Sequence, residues 1–283
     1  MNHNNSMAIY WRRISKNKMA AIGAFIVLFI VIIALLAPVI SPYEPDAQDL
    51  YSSLNGPSKE HWFGTDIYGR DILSRVIWGA RISLSISSLA VFLSILIGVF
   101  LGAIAAYFGG VLDEIIMRFF DILLSFPDIL LAIAIIAILG SGRSNLITAI
   151  TIYSIPQFAR IARSTVVSEK TKEYVDAARL SGESEMNILF RYVLPNSLSP
   201  IIVQGTLRIG YAILIISGLG FLGLGIQPPA AEWGTDLSIA RTYLRAAPHT
   251  GIFPGIAIFI TVMGFNFFGD GLNEILNPRM KDR

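Results

Sequence analysis

Residues 19–40 read MAAIGAFIVLFIVIIALLAPVI, 22 positions without a charged side chain. A spanning helix needs about 20 consecutive apolar residues, and it satisfies its own backbone polar groups where no water reaches them. Arg12, Arg13, Lys16 and Lys18 precede the run. A basic lead-in also marks a secretory signal, but a signal's apolar core holds roughly 7–15 residues and ends at a small-residue cleavage site. No such site follows here, so the stretch reads as an uncleaved first transmembrane helix.

Outward from that run the pattern recurs. Of 283 residues, 54% are hydrophobic and 15% charged, with mean hydropathy +0.62. A soluble domain carries about 25% charge to hydrate its surface. Apolar segments at 82–108, 112–140, 145–163, 197–222 and 251–271 bring the expectation to six transmembrane helices in an all-α membrane fold. The third would be about 43 Å long at 1.5 Å per residue. Its opening turns, with Asp113, Glu114 and Arg118, are therefore expected among headgroups, and Pro127 is expected to kink it. With the N-terminus inside, 14 basic residues fall on the cytoplasmic side and 7 outside, which puts both termini in the cytoplasm. Arg70, Arg75 and Arg81 alternate with Ile72, Leu73, Val76, Ile77 and Trp78, the pattern of an interfacial amphipathic helix.

This divides the chain into residues 1–45 (N-terminus and first span), 46–81 (an outer loop), 82–272 (the main transmembrane domain) and 273–283 (a cytoplasmic tail). A second outer loop covers 223–250, and the one large inner loop covers 164–196. Absence of cysteine excludes thiolate metal sites and cysteine nucleophiles. His3, His61 and His249 fit no metal-ligand spacing, and a net charge of +2 gives no nucleic-acid footprint.

The inner loop contains EYVDAARLSGESEMNILFRYVLPN, residues 173–196. Thr171 is expected to cap a first short helix and Gly182 to end it in the left-handed conformation. Ser184 is expected to cap a second helix, which Pro195 should stop near Leu194. Ser199-Pro200 then reads as the cap and first position of the fifth span. Ala177 and Ala178 lack the polar bulk of an ordinary solvated helix and would let a partner's backbone approach closely.

The loop resembles the coupling motif of type I ABC importer permeases. Asp176-Ala177-Ala178, Gly182 and Leu194-Pro195 stand at the matching spacings, with Asp176 for the usual Glu and Tyr192 for the usual Ile. His61-Trp-Phe-Gly-Thr-Asp66, Gly69-Arg-Asp71, Gly79-Ala-Arg-Ile-Ser-Leu84, Phe221-Leu-Gly-Leu-Gly-Ile-Gln-Pro-Pro229, Gly269-Asp-Gly-Leu272 and Asn277-Pro-Arg279 resemble the C-type permease subunits of dipeptide and oligopeptide transporters. The resemblance implies that Glu173, Tyr174, Asp176, Ala177, Ala178, Arg179, Gly182, Leu194 and Pro195 couple to an ATP-hydrolysing subunit. It also implies a second, related permease, two ATP-binding subunits, an extracytoplasmic substrate-binding protein and a cell-membrane location. No cofactor is expected on this chain, because ATP and Mg²⁺ would sit on the partner ATPases.

Other residues carry weaker expectations. Gly218-Leu-Gly-Phe-Leu-Gly223 matches a dinucleotide-binding pattern but ends a span rather than joining strand to helix, so it reads as helix packing. No P-loop occurs in the sequence. Arg208, about 16 Å into the fifth span, either pairs with Asp121 or Asp128 or lines the translocation pathway with Gln204 and meets a peptide carboxylate. Gln227, Pro228, Pro229, Glu232, Trp233 and Asp236 either dock the binding protein or cover the chain's own outer end. An ion-coupled carrier is the competing class and would use Arg208, Asp121 and Asp128 as a relay. Dipeptide or short-peptide import is the leading expectation, with nickel or glutathione-like cargo as alternatives.

Overall fold

The computed structural model describes residues 17–276. Arg12, Arg13, Lys16 and the Asn277-Pro278-Arg279 segment lie outside the described residues. The helices, in chain order, are α1 (Lys18–Ile40), α2 (Ile72–Phe108), α3 (Gly110–Leu124), α4 (Asp128–Leu139), α5 (Arg143–Glu169), α6 (Glu173–Leu180), α7 (Glu185–Asn187), α8 (Leu194–Asn196), α9 (Leu198–Phe221), α10 (Trp233–Ala240) and α11 (His249–Leu276).

The centre of the bundle is α2, whose 37 residues form one rod about 56 Å long. Its first turns are residues expected to form a separate interfacial helix, so the boundary drawn at residue 82 falls inside a continuous element. The interfacial reading fails because Arg70 and Arg75, 1% and 2% exposed, pair with Asp66 and Asp236 instead of facing headgroups. Asp71 caps α2, accepting from the Ser74 N–H at 2.7 Å.

The most intimate helix pairing joins α2 to α5 through Gly98 and Gly102. A Cβ on Gly102 would lie 2.2 Å from the Ala159 carbonyl oxygen, and one on Gly98 would lie 2.6 Å from that of Ile155. Spaced as G-x-x-x-G, the two glycines let the backbones approach as side chains would not. Pairings of Ser85 with Arg143, Ser94 with Thr151 and Ala106 with Lys170 run in the same order along both helices. Hence α2 and α5 are parallel, and the chain between them must return across the bundle. It returns through α3 and α4, which meet at 90°.

The expected third span, 112–140, is therefore two helices. Ser125 caps α3, and Pro127 has no N–H to continue the ladder. Four helices, α1, α2, α9 and α11, are individually long and apolar enough to span, and the bent pair counts as at most a fifth. Helix α5, the expected span 145–163, is long enough at 27 residues but carries Gln157, Arg160 and Arg163.

Antiparallel contacts pair Ala20 with Gly271 and Gly23 with Phe268 between α1 and α11, and Leu207 with Gly269 between α9 and α11. The described ends of the chain, Asn17 and Leu276, thus lie at the same end of the bundle as α6. The loops before α2 and around α10 cover the opposite end, where the rings of Phe63 and Phe253 stack.

Candidate functional site

At the α6 end, Lys170 follows α5 and donates to the carbonyls of Ala106 (2.6 Å) and Tyr107 (3.4 Å), closing the last turn of α2. Helix α6 then lies across that end. Val175 and Ala178 face inward onto Ala103, Ala106, Tyr107, Ile188, Leu189 and Val193. Val175, Ile188, Leu189 and Val193 are fully buried, each such side chain contributing about 1.5–3 kcal/mol. Gly182 ends α6 at φ +83°, with the Glu183 N–H reaching back to the Ala178 carbonyl at 3.3 Å, as expected for a left-handed stop. Ser184 caps α7, also as expected.

Three local expectations are corrected. Thr171 caps nothing; its hydroxyl bonds the Ser168 carbonyl, and Lys172 begins α6 without a side-chain bond. The helix after Ser184 does not stop at Leu194. Ile188–Val193 form a π-turn, and helix continues through Pro195 to Asn196, because the wider turn leaves room where an α-turn would clash with the ring. Ser197, not Ser199, precedes α9, and its hydroxyl bonds the Val193 carbonyl.

A polar clamp fixes the loop. Arg179 Nε donates to Glu185 Oε1 at 3.1 Å, and the Tyr107 hydroxyl donates to the same carboxylate. The Tyr107 bond, then Arg179, holds the Glu185 carboxyl below its usual range, and the bond to Glu185 raises Arg179 in turn. Tyr174 donates to Glu169 at 2.8 Å, and its phenol is pushed up to about 12, first by burial and then by that bond.

What remains outward is a stripe at helical spacing: Glu173, Asp176, Ala177 and Leu180, the last 90% exposed. Ala177 and Ala178 do not act as a pair, since neighbours on a helix point about 100° apart; one faces out and the other is core. Gly182 and Pro195 are exposed and Leu194 is half-buried. Leu180 escaped the sequence reading, although its spacing of seven from Glu173 placed it on the same face.

Midway along α9, Arg208 is 5% exposed. Its Nη2 donates to Asp128 at 2.9 Å and its Nε to Ser154 at 3.1 Å. Its guanidinium lies over the rings of Tyr153 and Tyr211, 4.9 and 4.7 Å from their centroids. Asp121 is elsewhere, taking a 2.6 Å bond from Arg160, and Gln204 sits half-buried one turn before Arg208.

At the end opposite α6, the outer loop is self-covering where an exposed dock was one of two expectations. Trp233 is 1% exposed, its Nε1 donating to the Val76 carbonyl at 3.0 Å and its indole filling the space above Gly79. Glu232 is buried because it caps α10, accepting from the Gly234 and Thr235 N–H groups. Asp236 is buried against Arg75. Burial raises the carboxyls of both, opposed by those hydrogen bonds and by Arg75. Gln227, Pro228 and Pro229 remain exposed, beside a groove of about 400 Å³ that Glu44, Asp46, Trp78 and Pro229 help to line.

Residues 98–282 match the family described as binding-protein-dependent transport system inner membrane component, and residues 7–57 match the N-terminal TM domain of oligopeptide transport permease C. The dipeptide transport system permease protein DppC of Alkalihalophilus pseudofirmus is 47% identical over 271 residues, 96% of this chain and 89% of that protein. The glutathione transport system permease protein GsiD of Escherichia coli is 47% identical over 273 residues, 96% and 90%. Among solved structures, the inward-facing MetNI methionine ABC transporter shares the fold at TM-score 0.59 and 19% identity, covering 73% of this chain and 98% of that one.

Proposed function

The chain belongs to the binding-protein-dependent transport system inner membrane component family, the permease subunits of ABC importers, and we propose that its cargo is dipeptides or short oligopeptides. The observation that carries the coupling half of this reading is α6. Its apolar face is packed onto the end of α2, and its other face, Glu173, Asp176, Ala177 and Leu180, is exposed, with only Asp176 engaged, by Arg179 of the same helix at 3.3 Å.

In this reading the α6 stripe enters a cleft on an ATP-binding subunit, one of two, which hold ATP and Mg²⁺. Closure of those subunits pushes α6, and the clamp from Glu185 and Arg179 to Tyr107 passes the push directly to α2. The α6 end and both termini face the cytoplasm, in keeping with the distribution of basic residues. Helix α5 crosses as a sixth span, its Arg160 and Arg163 neutralised by Asp121 and Asp113 of α3. A related second permease supplies the other half of the pathway, and Gln227, Pro228 and Pro229 remain to meet the loaded binding protein. The relatives that carry dipeptides and glutathione support a peptide cargo.

Deleting the chain from its native cell and following labelled dipeptide, longer peptide and nickel, with and without ATP depletion, tests the reading. Loss of ATP-dependent peptide uptake is expected. Loss of nickel uptake alone would overturn the cargo, and uptake that ignores ATP but follows the proton gradient would overturn the mechanism.

A further inference from the structure

Three features converge on Arg208. Its charge is held by one carboxylate, Asp128, which is itself partly exposed at 19% of its side chain. The guanidinium presents five N–H donors, of which only those on Nε and Nη2 meet an acceptor among the described residues. Finally, the hydroxyl of Tyr153, one of the two rings over which the guanidinium lies, is buried without a partner. The site thus holds a cation with donors to spare, an unspent phenol and a detachable anion.

Asp128 is also placed where it can move. It is the first residue of α4, just past the 90° break, and Pro127 before it contributes no hydrogen bond to bridge the joint. Arg208, by contrast, is anchored by Ser154 and two aromatic faces in the middle of a continuous helix.

From this arrangement we propose that Arg208 and Asp128 form a charge-exchange gate for zwitterionic short peptides. The peptide's terminal carboxylate takes the place of Asp128 on Arg208, with Tyr153 free to donate a further bond. Its terminal ammonium takes the place of Arg208 on Asp128. One ion pair becomes two, so neither charge is ever left alone, which is the costly state in a low-dielectric interior. A dipeptide spans at most about 7 Å, so the exchange separates Asp128 from Arg208 by a comparable distance, and the joint before α4 absorbs the motion. When the peptide leaves, the pair reforms behind it. This rests on the peptide reading above and adds the groups of the peptide that the pathway senses.

The test uses the complete transporter, with its second permease, ATPases and binding protein, reconstituted in vesicles. The probes are alanyl-alanine, its C-terminal amide and its N-acetyl derivative, at concentrations that saturate the binding protein. Because one binding protein serves every variant, its own preference cancels. Arg208→Gln is expected to shrink the preference for free dipeptide over the amide about tenfold, the scale of one charge-assisted hydrogen bond, and to leave the preference over the acetyl form. Asp128→Asn is expected to do the reverse. The double variant R208Q/D128N removes both charges and so avoids a stranded one; it is expected to lose both preferences. Preferences unchanged from wild type in the double variant, or rates for all three probes that fall in common proportion, would overturn the gate while leaving peptide import standing. A wild-type transporter that moves none of the three would sink both.

Discussion

Arg75→Ala should release the outer cover from the head of α2. Arg75 makes two bonds to Asp236 Oδ1, at 3.0 Å from Nε and 2.5 Å from Nη2. It also donates to the carbonyls of Pro45 (2.9 Å), Pro229 (3.2 Å) and Ala230 (3.2 Å). Breaking a buried ion pair by removing one partner costs about 3–5 kcal/mol, and each carbonyl left without its donor adds about 1 kcal/mol unless water reaches it. The loss is limited by protonation: burial already raises the Asp236 carboxyl, and without Arg75 the chief opposing charge is gone. A native pKa above the ordinary 3.8 means that the folded state binds the extra proton. Stability of the variant should then be greatest near or below that pH and fall as pH rises through the raised value. The assay is a double-mutant cycle of Arg75→Ala and Asp236→Ala, read by denaturation of the purified complex in mixed micelles. A coupling of about 2–3 kcal/mol is expected. Additivity within about 0.5 kcal/mol would refute the claim that these two side chains act as one clamp.

Two further outcomes follow from packing and charge. Gly102→Leu should block assembly of the subunit, because even its Cβ would stand 2.7 Å from the Ala159 Cα, whereas Gly56→Ala, with open space around it, should express as wild type; quantified yield of assembled complex checks both. The lowered carboxyl of Glu185 stabilises the α6 clamp fully above its ordinary 4.5, and that contribution is lost as pH falls below it through the depressed value. Hydrogen-exchange protection in residues 173–196, taken relative to the intrinsic rate at each pH, should drop over that fall, and Tyr107→Phe should shift the drop to higher pH.

The spans were legible where apolar length alone defines them, as in α1, α9 and α11. The α6 loop was legible because Gly182 and Ser184 each have one conformational job. The α3–α4 break was half legible: Pro127 announced a kink, but a 90° joint depends on α2 and α5 running parallel, which no local pattern states. The start of α2 differs from the expected interfacial helix because alternating Arg and apolar residues look the same whether the arginines meet headgroups or buried carboxylates. Asp236, 161 positions from Arg75, decided it. The burial of Glu232 and Trp233 was likewise set by distant backbone, the carbonyl of Val76 and the bare face of Gly79. The G-x-x-x-G at Gly98 and Gly102 is the local sequence signal for the close α2–α5 contact.

The central claim is that the outer stripe of α6 is where an ATP-binding subunit docks. The chain has no cysteine, so a single introduced thiol can be placed at will. Ala177→Cys, Leu180→Cys and, as the buried control, Ala178→Cys would each be treated with a short bifunctional reagent in membranes carrying the whole transporter. Positions 177 and 180 are expected to link to the ATP-binding subunit, with a yield that changes when ATP binds, while 178 stays unlinked. No link from 177 or 180, or one from 178 of equal yield, would contradict the account.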